Sequence, residues 1–298
     1  MYELEKVGKN SYYIESPAKI GVYVKDNLDA YLIDSGNDKD AGRKIKKILD
    51  ENGWNLKGIL VTHSNADHIG GCNYLQKQLG CQIFTRGIER SITENPLIEP
   101  SFLYGGYPFK ELRNKFLMAQ PSDCTGFDDE LFPKEIDIID LPGHFFDMVG
   151  FRIPDGTVFI GDCLFSKEIL DKYKIPFIYD VDKFIETLNY IKTLDANVFI
   201  PSHAKPQQEI EPLAEYNIKK VEEIRDLIKK ICANETSFEG ILKDVFTIYD
   251  LKMDYNQYVL VGSTLKSFLS WMKDRGEIDT NIKENTMYWY VKNGERNE

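Results

Sequence analysis

The chain has four histidines in 298 residues, and all of them sit in short segments suited to gripping a cation. His63 and His68 lie in Val61-Thr62-His63-Ser64-Asn65-Ala66-Asp67-His68-Ile69-Gly70-Gly71. His144 follows Leu141-Pro142-Gly143, and His203 stands in Ile200-Pro201-Ser202-His203-Ala204. A further segment, Phe159-Ile160-Gly161-Asp162, brings a carboxylate to the end of an apolar run. Imidazole and carboxylate are the usual protein ligands of zinc and iron at neutral pH. A cation held this way activates water by lowering its pKa towards ~7. Metal-assisted chemistry is therefore the first expectation.

Residues so far apart in sequence can meet only if regular elements carry them to one place. Short runs rich in Tyr, Val and Ile predict strands at Ser11–Ile14, Ile20–Val24 and Ala30–Ile33. Ile45, Ile48 and Leu49 recur at helical spacing over Asp38–Asn52, and Gly53 ends that helix. Lys57–Val61 reads as a buried strand that delivers the His63 segment at its carboxyl end. A helix from about Asp67 to Leu79 follows, with Gly80 as its stop. Residues 86–135 are punctuated by Asn95-Pro96, Glu99-Pro100, Tyr104-Gly105-Gly106-Tyr107-Pro108 and Gln120-Pro121-Ser122, which predicts a long irregular insertion of the lid or binding-loop kind. Strands return at Ile136–Leu141, Val149–Ile153, Thr157–Ile160 and Val198–Ile200, with a helix at Val181–Thr193. Beyond Pro212 the pattern predicts helices at Leu213–Cys232, Phe238–Val245 and Leu260–Lys273, then a hairpin of Glu277–Ile282 and Met287–Val291.

On these motifs the chain resembles the metallo-β-lactamase superfamily of metal-dependent hydrolases, glyoxalase II-like in pattern. That family reads His-x-His-x-Asp-His, a distant His after Pro-Gly, an Asp in Gly-Asp and a last His. Order and spacing match across residues 1 to about 211, except that Asn65 stands where the family has its second histidine. The resemblance implies an α+β fold, a four-layer αββα sandwich over residues 1–211. Residues 212–298 resemble the small helical, winged-helix-like domain of some members. It also implies two metal positions. The first would be His63, His144 and Asp162 with Asn65 in the vacated place, and the second Asp67, His68, His203 and the shared Asp162. The implied cofactor is one or two Zn2+, with Fe or Mn as alternatives. An amide oxygen is a weaker zinc ligand than imidazole and suits harder cations, so the first position should bind less tightly or favour another metal. Asn65 also has a second reading, as a loop stabiliser that bonds only backbone groups.

Composition narrows the substrate. A net charge of -11 opposes nonspecific attraction to nucleic acid or an anionic membrane, which leaves a small molecule as the expected partner. No apolar run reaches the ~18 residues of a membrane span, and no secretory signal is visible. Five cysteines without a Cys-x-x-Cys pair read as reduced thiols of a cytoplasmic protein. Three functions fit. The first is a hydrolase that directs metal-activated hydroxide, oriented by Asp67, at a small thioester, ester or lactone. The second is a mononuclear iron persulfide dioxygenase using His63, His144 and Asp162. The third is a catalytically weakened, metal-stabilised binding scaffold. In the insertion, Phe102, Tyr104, Tyr107 and Phe109 are candidates to line a substrate pocket. Arg113 or Lys115, and Lys205 after His203, could pair an anionic group. Cys163 beside Asp162 reads as a small buried residue rather than a nucleophile, and a homodimer is the ordinary prior for a soluble enzyme.

Overall fold

The β-rich first third folds into a meander, which the computed structural model describes within residues 2–292. Strands β1 (Glu3–Lys6), β2 (Ser11–Glu15), β3 (Ile20–Val24) and β4 (Asp29–Ile33) pair antiparallel in chain order. Helix α1 (Lys39–Asn52) follows, its first turn closed by the Asp38 carboxylate, which accepts from the backbone N–H groups of Asp40 and Ala41. It crosses to β5 (Asn55–Leu60), which pairs parallel to β4. The helix expected from Asp67 to Leu79 is two helices, α2 (Ala66–Ile69) and α3 (Cys72–Leu79). The break falls at Gly70-Gly71 because the β4–α1 loop presses against it. A Cβ on Gly70 would lie 2.2 Å from the Asn37 carbonyl carbon, and one on Gly71 would lie 2.3 Å from Ser35 O. Strand β6 (Gln82–Phe84) completes a six-stranded sheet in the order β1-β2-β3-β4-β5-β6.

The insertion is less irregular than expected. It contains α4 (Gly87–Glu94), α5 (Ile98–Tyr104) and a single 3-10 turn at Lys110–Leu112. A second sheet follows, built from β7 (Asp137–Asp140), β8 (Val149–Arg152), β9 (Thr157–Phe165) and β10 (Val198–His203), in the order β10-β9-β8-β7. Helices α6 (Lys167–Tyr173) and α7 (Val181–Ile191) make the crossover between parallel β9 and β10. Both strands run further than the sequence pattern indicated, so Asp162 and His203 lie within them.

The two sheets pack face to face. Tyr23, Ile33, Leu60 and Phe84 from the first meet Phe151, Phe159 and Ile200 from the second in one apolar cluster. On the outer face of the first sheet, Ile20, Leu32 and Ile59 pack with Ile45, Leu49 and Leu75 of α1 and α3. On the outer face of the second, Val158 and Ile160 pack with Phe184 and Leu188 of α7. This is the αββα sandwich, each sheet burying one face against its partner and the other against helices.

The C-terminal part holds α8 (Glu211–Ile231), a two-residue strand β11 (Thr236–Ser237), α9 (Phe238–Ile248), α10 (Tyr255–Asp274), β12 (Ile278–Lys283) and β13 (Thr286–Val291). The short β11 turns the expected hairpin into a three-stranded sheet in the order β11-β13-β12. The apolar stripe of α8 (Val221, Ile224, Ile228) belongs to the same cluster as Leu164 of β9 and Leu188 of α7, so this part shares its core with the sandwich. Among the described residues no helix is long and apolar enough to cross a membrane.

Candidate metal centre

Each histidine is delivered by the end of an element and fixed by its neighbours. Val61 N–H bonds to Phe84 O, and Thr62 N–H to a carboxylate oxygen of Asp34, so the chain leaves β5 in a set direction and His63 points inward. His144 is set by Gly143 at φ 122, where an added Cβ would lie 2.2 Å from the Phe184 backbone nitrogen, so only glycine fits. His68 rides on α2, Asp162 on β9 and His203 at the end of β10.

These elements bring two groups of donors together. One is His63, His144 and Asp162, all buried. The other is Asp67, His68 and His203, and within each group the donor atoms lie within 4.8 Å of one another. Asp162 joins them. Its Oδ1 is 3.3 Å from His68 Nε2, and its Oδ2 is 3.1 Å from His203 Nε2 and 3.7 Å from His144 Nε2. Asp67 Oδ2 stands 3.4 Å from His203 Nε2 and 3.8 Å from His68 Nε2. Its side chain is 41% exposed, against 5% for Asp162, so the centre opens to solvent at Asp67.

The outward-facing nitrogens decide what the inward ones can do. His144 Nδ1 faces Phe177 O at 2.9 Å, and His203 Nδ1 faces Pro17 O at 2.9 Å. A carbonyl can only accept, so both Nδ1 atoms carry hydrogen. His68 Nδ1 gives its hydrogen to Asp34 Oδ2 at 2.8 Å. Thr62 Oγ1 donates its own hydrogen to Asp34 Oδ2 and so accepts from His63 Nδ1 at 3.0 Å. In each neutral ring the Nε2 lone pair is therefore left facing the centre, the tautomer that metal-binding histidines use. His63 Nε2, His68 Nε2 and Asp162 Oδ1 are buried without a hydrogen-bond partner among the described residues. Buried polar atoms are nearly always paired, so three orphans converging on one point fit a cation.

The charges agree. Burial would lower the pKa of His203, but Asp162 and Asp67 outweigh it and raise it to about 10. Against the same burial penalty, Asp162, Asp67 and Asp34 raise His68 well above its ordinary value. Burial and then the neighbouring His68 push His63 well below its own. Burial would raise the Asp162 carboxyl, but His203 and His68 hold it well below the carboxylate range. The centre thus keeps Asp162 ionised.

Asn65 lies among these groups. Its Oδ1 is 3.0 Å from His144 Nε2, and its Nδ2 donates to Glu99 Oε1 at 2.7 Å. It occupies the N-cap position of α2, yet its side chain makes no capping bond. The backbone-stabiliser reading of Asn65 is thereby set aside.

The candidates for substrate contact are not gathered at the centre. Tyr104 is 41% exposed and packs edge-on against Phe109, which in turn meets Tyr255 of α10. Arg113 lies over the ring of Tyr107 and donates to its hydroxyl. Lys115 pairs with Asp38, and Lys205 is exposed. Phe177 and Phe165 instead flank His144, while the candidate Phe102 packs edge-on against Phe146 and Tyr179, whose rings tilt against each other. Cys163 is buried on β9 with its thiol pKa raised by burial, and all five cysteines are free and buried. Sequence reasoning missed Asp34, Glu89 and Glu99. Asp34 had a legible signal, a carboxylate just after an apolar strand as at Asp162. The two glutamates had none.

The chain belongs to the metallo-beta-lactamase superfamily, whose family model matches residues 10–203. A hydroxyacylglutathione hydrolase of Buchnera aphidicola is 27% identical over 175 residues, 59% of this chain and 57% of that protein. An uncharacterized protein of Mycobacterium tuberculosis is 28% identical over 155 residues, 49% of this chain and 66% of its own length. The chain therefore spans less than two thirds of these relatives. A beta-lactamase domain protein from Burkholderia ambifaria has a crystal structure that superposes with a TM-score of 0.73 at 15% identity, covering 97% of this chain and 94% of that one. The fold is thus shared over the C-terminal part as well as the sandwich.

Proposed function

We propose that this chain is a metal-dependent hydrolase of small acyl substrates of the thioester, ester or lactone type. Its first cation would be held by His63, His144, Asp162 and Asn65, and its second by Asp67, His68, His203 and the shared Asp162. Zinc is the favoured ion, with iron or manganese as alternatives at the first position. The observation that carries this reading is the set of inward Nε2 lone pairs converging with two carboxylates, three of those atoms buried without partners among the described residues. A bound divalent ion would polarise an acyl oxygen and lower the pKa of water towards ~7. Asp67, the solvent-facing member, would orient the attacking water. The aromatic groups around His144 would shield that side from bulk water and offer apolar contact to the acyl portion. Tyr104, Tyr107, Arg113 and Lys205 would meet substrate from the surface, and Arg113 would leave Tyr107 to do so. The acidic surface disfavours a polyanionic substrate.

The test is elemental analysis of protein purified without added metal, then removal and return of Zn2+, Mn2+ or Fe2+ with a panel of thioesters and lactones. Two ions per chain with metal-restored hydrolysis support the proposal. One iron with oxygen uptake and no hydrolysis replaces it with an oxidative reaction. A chain that binds none of these ions overturns it in favour of a scaffold.

A further inference from the structure

The insertion sends one carboxylate into the metal centre from outside the sandwich. Glu99, on the first turn of α5, is 3% exposed, and among the described residues its side chain accepts one hydrogen bond, from Asn65 Nδ2 at 2.7 Å. Burying a carboxylate is costly, and one donor repays little of that cost, so its placement calls for a cause. The cause lies in what the bond does to Asn65. Residues at an N-cap usually turn their side chain back onto the helix backbone. Asn65 does not, and its amide is held the other way, with Nδ2 on Glu99 and Oδ1 3.0 Å from His144 Nε2. His144 Nδ1 already donates to Phe177 O, so in the neutral ring a lone pair on Nε2 faces a lone pair on Oδ1. Two acceptors at that distance repel unless a cation takes both.

We infer that Glu99 is a positioning residue for the first cation: by accepting the Asn65 amide N–H it aims Asn65 Oδ1 into the group formed by His63, His144 and Asp162. Asn65 then takes the place of a histidine as an oxygen donor, at the cost of needing a second residue to keep its amide from flipping. The inference rests on the metal-centre reading proposed above. Glu99 itself reaches the insertion's apolar core through its own helix, where Leu103 packs with Leu112, Leu117 and Val259 of α10. Lys115 ties the far end of the insertion to Asp38 at 2.8 Å, and Asn114 ties it to Asn256 of α10 at 2.9 Å. The acceptor is thus held by an anchored support.

Zinc titration into chelator-treated full-length protein, with elemental analysis after gel filtration, tests this through two binding steps. Glu99→Leu removes the acceptor and should weaken the first position about 10- to 100-fold while sparing the second. Glu99→Gln offers a carbonyl oxygen to the same N–H and should stay within about threefold of wild type, by the same hydrogen-bond logic. The double variant Asn65→His with Glu99→Leu should regain first-position binding, because imidazole does not need its amide aimed. If Glu99→Leu does not melt cooperatively, the isosteric pair Asn65→Asp with Glu99→Gln reverses the bond and should bind at least as tightly as wild type. Unchanged first-position affinity in Glu99→Leu overturns the inference. So does Glu99→Gln binding as poorly as Glu99→Leu, which would make the carboxylate itself the ligand, and so does loss of binding in the reversed pair. Failure of both positions in wild type would instead overturn the metal-centre reading.

Discussion

Replacing Asp34 by Asn should weaken the second cation position without touching any of its donors. Asp34 Oδ1 accepts from Thr62 N–H at 2.8 Å, and Oδ2 accepts from Thr62 Oγ1 at 2.7 Å and His68 Nδ1 at 2.8 Å. A carboxylate satisfies all three donors because it is acceptor-only. An amide cannot. With its NH2 towards His68, the ring must move its hydrogen from Nδ1 to Nε2, and the atom that should grip the cation then carries a proton. With its NH2 towards the Thr62 N–H, a side-chain donor and a backbone donor face each other at the entry to the His63 segment. The first arrangement costs the tautomer, and the second costs a buried hydrogen bond worth about 1 to 3 kcal/mol. Loss of such support for a metal-binding imidazole typically weakens metal affinity 10- to 100-fold. That range is about 1.4 to 2.7 kcal/mol, of the same size as the bond lost.

The assay is zinc affinity of Asp34→Asn by competition with a chromophoric chelator, with nitrogen NMR of the metal-free protein to read which ring nitrogen of His68 carries hydrogen. Thr62→Val is the companion variant. It removes the acceptor for His63 Nδ1 and leaves the His68–Asp34 bond in place, so its loss should fall on the first position. If Asp34→Asn held its second ion within about twofold of wild type, with His68 still protonated at Nδ1, the tautomer-locking reasoning would be refuted.

Three further outcomes are expected. His68→Ala should strip the tighter ion, whereas Asn65→His should raise occupancy of the first position, both read by elemental analysis; unchanged metal content in Asn65→His would show that the amide oxygen is no handicap. His203, raised to about 10, holds a proton at pH 7 in the metal-free protein. It must lose that proton to bind, so calorimetry in buffers of different ionisation enthalpy should show about one proton released per second-position ion and an affinity that climbs with pH. Release of no proton would refute this. Burial pushes the Glu89 carboxyl up to about 7 from an ordinary 4.5, against the pull of the Ser64 and Asp147 donors. The folded protein therefore keeps a proton that the unfolded chain has lost between those values. That contribution is full below 4.5 and disappears as pH rises through 7, on the order of 3 kcal/mol. Urea unfolding of metal-free Glu89→Gln beside wild type should give a gap that shifts against wild type from pH 5 to pH 8, and parallel profiles would contradict it.

What the sequence made legible is what local physics decides. Strand β3 fell on Ile20–Val24 as read, because a β-branched and aromatic run bounded by Pro17 and Asp26-Asn27 leaves little choice. Helix α1 was bracketed by a capping Asp38 and by Gly53 in the same way. The metal-binding types and their spacing were visible because few other constraints would place every histidine in such segments. What was hidden depends on contacts across the fold. The break between α2 and α3 exists because the Ser35–Asp38 loop crowds Gly70 and Gly71, which no window around residue 70 reveals. The helices of the insertion were obscured by prolines, yet Pro100 sits in the first turn of α5, where its missing N–H costs nothing. Tyr104, Tyr107 and Arg113 were legible as chemistry but not as placement, since an exposed aromatic pairs with whatever neighbour the loop supplies.

The hidden residues share one trait, and it explains why the centre is more than its donors. Two parts of the protein hold the His63–His68 segment. From the sandwich, Asp34 fixes Thr62 and His68. From the insertion, Glu89 takes the backbone and hydroxyl of Ser64 on one oxygen and the Asp147 N–H on the other. It thereby couples the segment bearing His63 to the segment bearing His144. Glu99 then sets the Asn65 amide between them. Buried carboxylates with so few charged partners are expensive, and each would be better replaced by an apolar residue if packing alone were at stake. Their presence makes sense where orientation is what they supply. A cation needs several donors converging within tenths of an ångström, and one hydrogen-bonded carboxylate can fix a loop more sharply than apolar contact does. The long insertion is thus part of the construction of the centre, because its two buried glutamates finish what the strand ends begin.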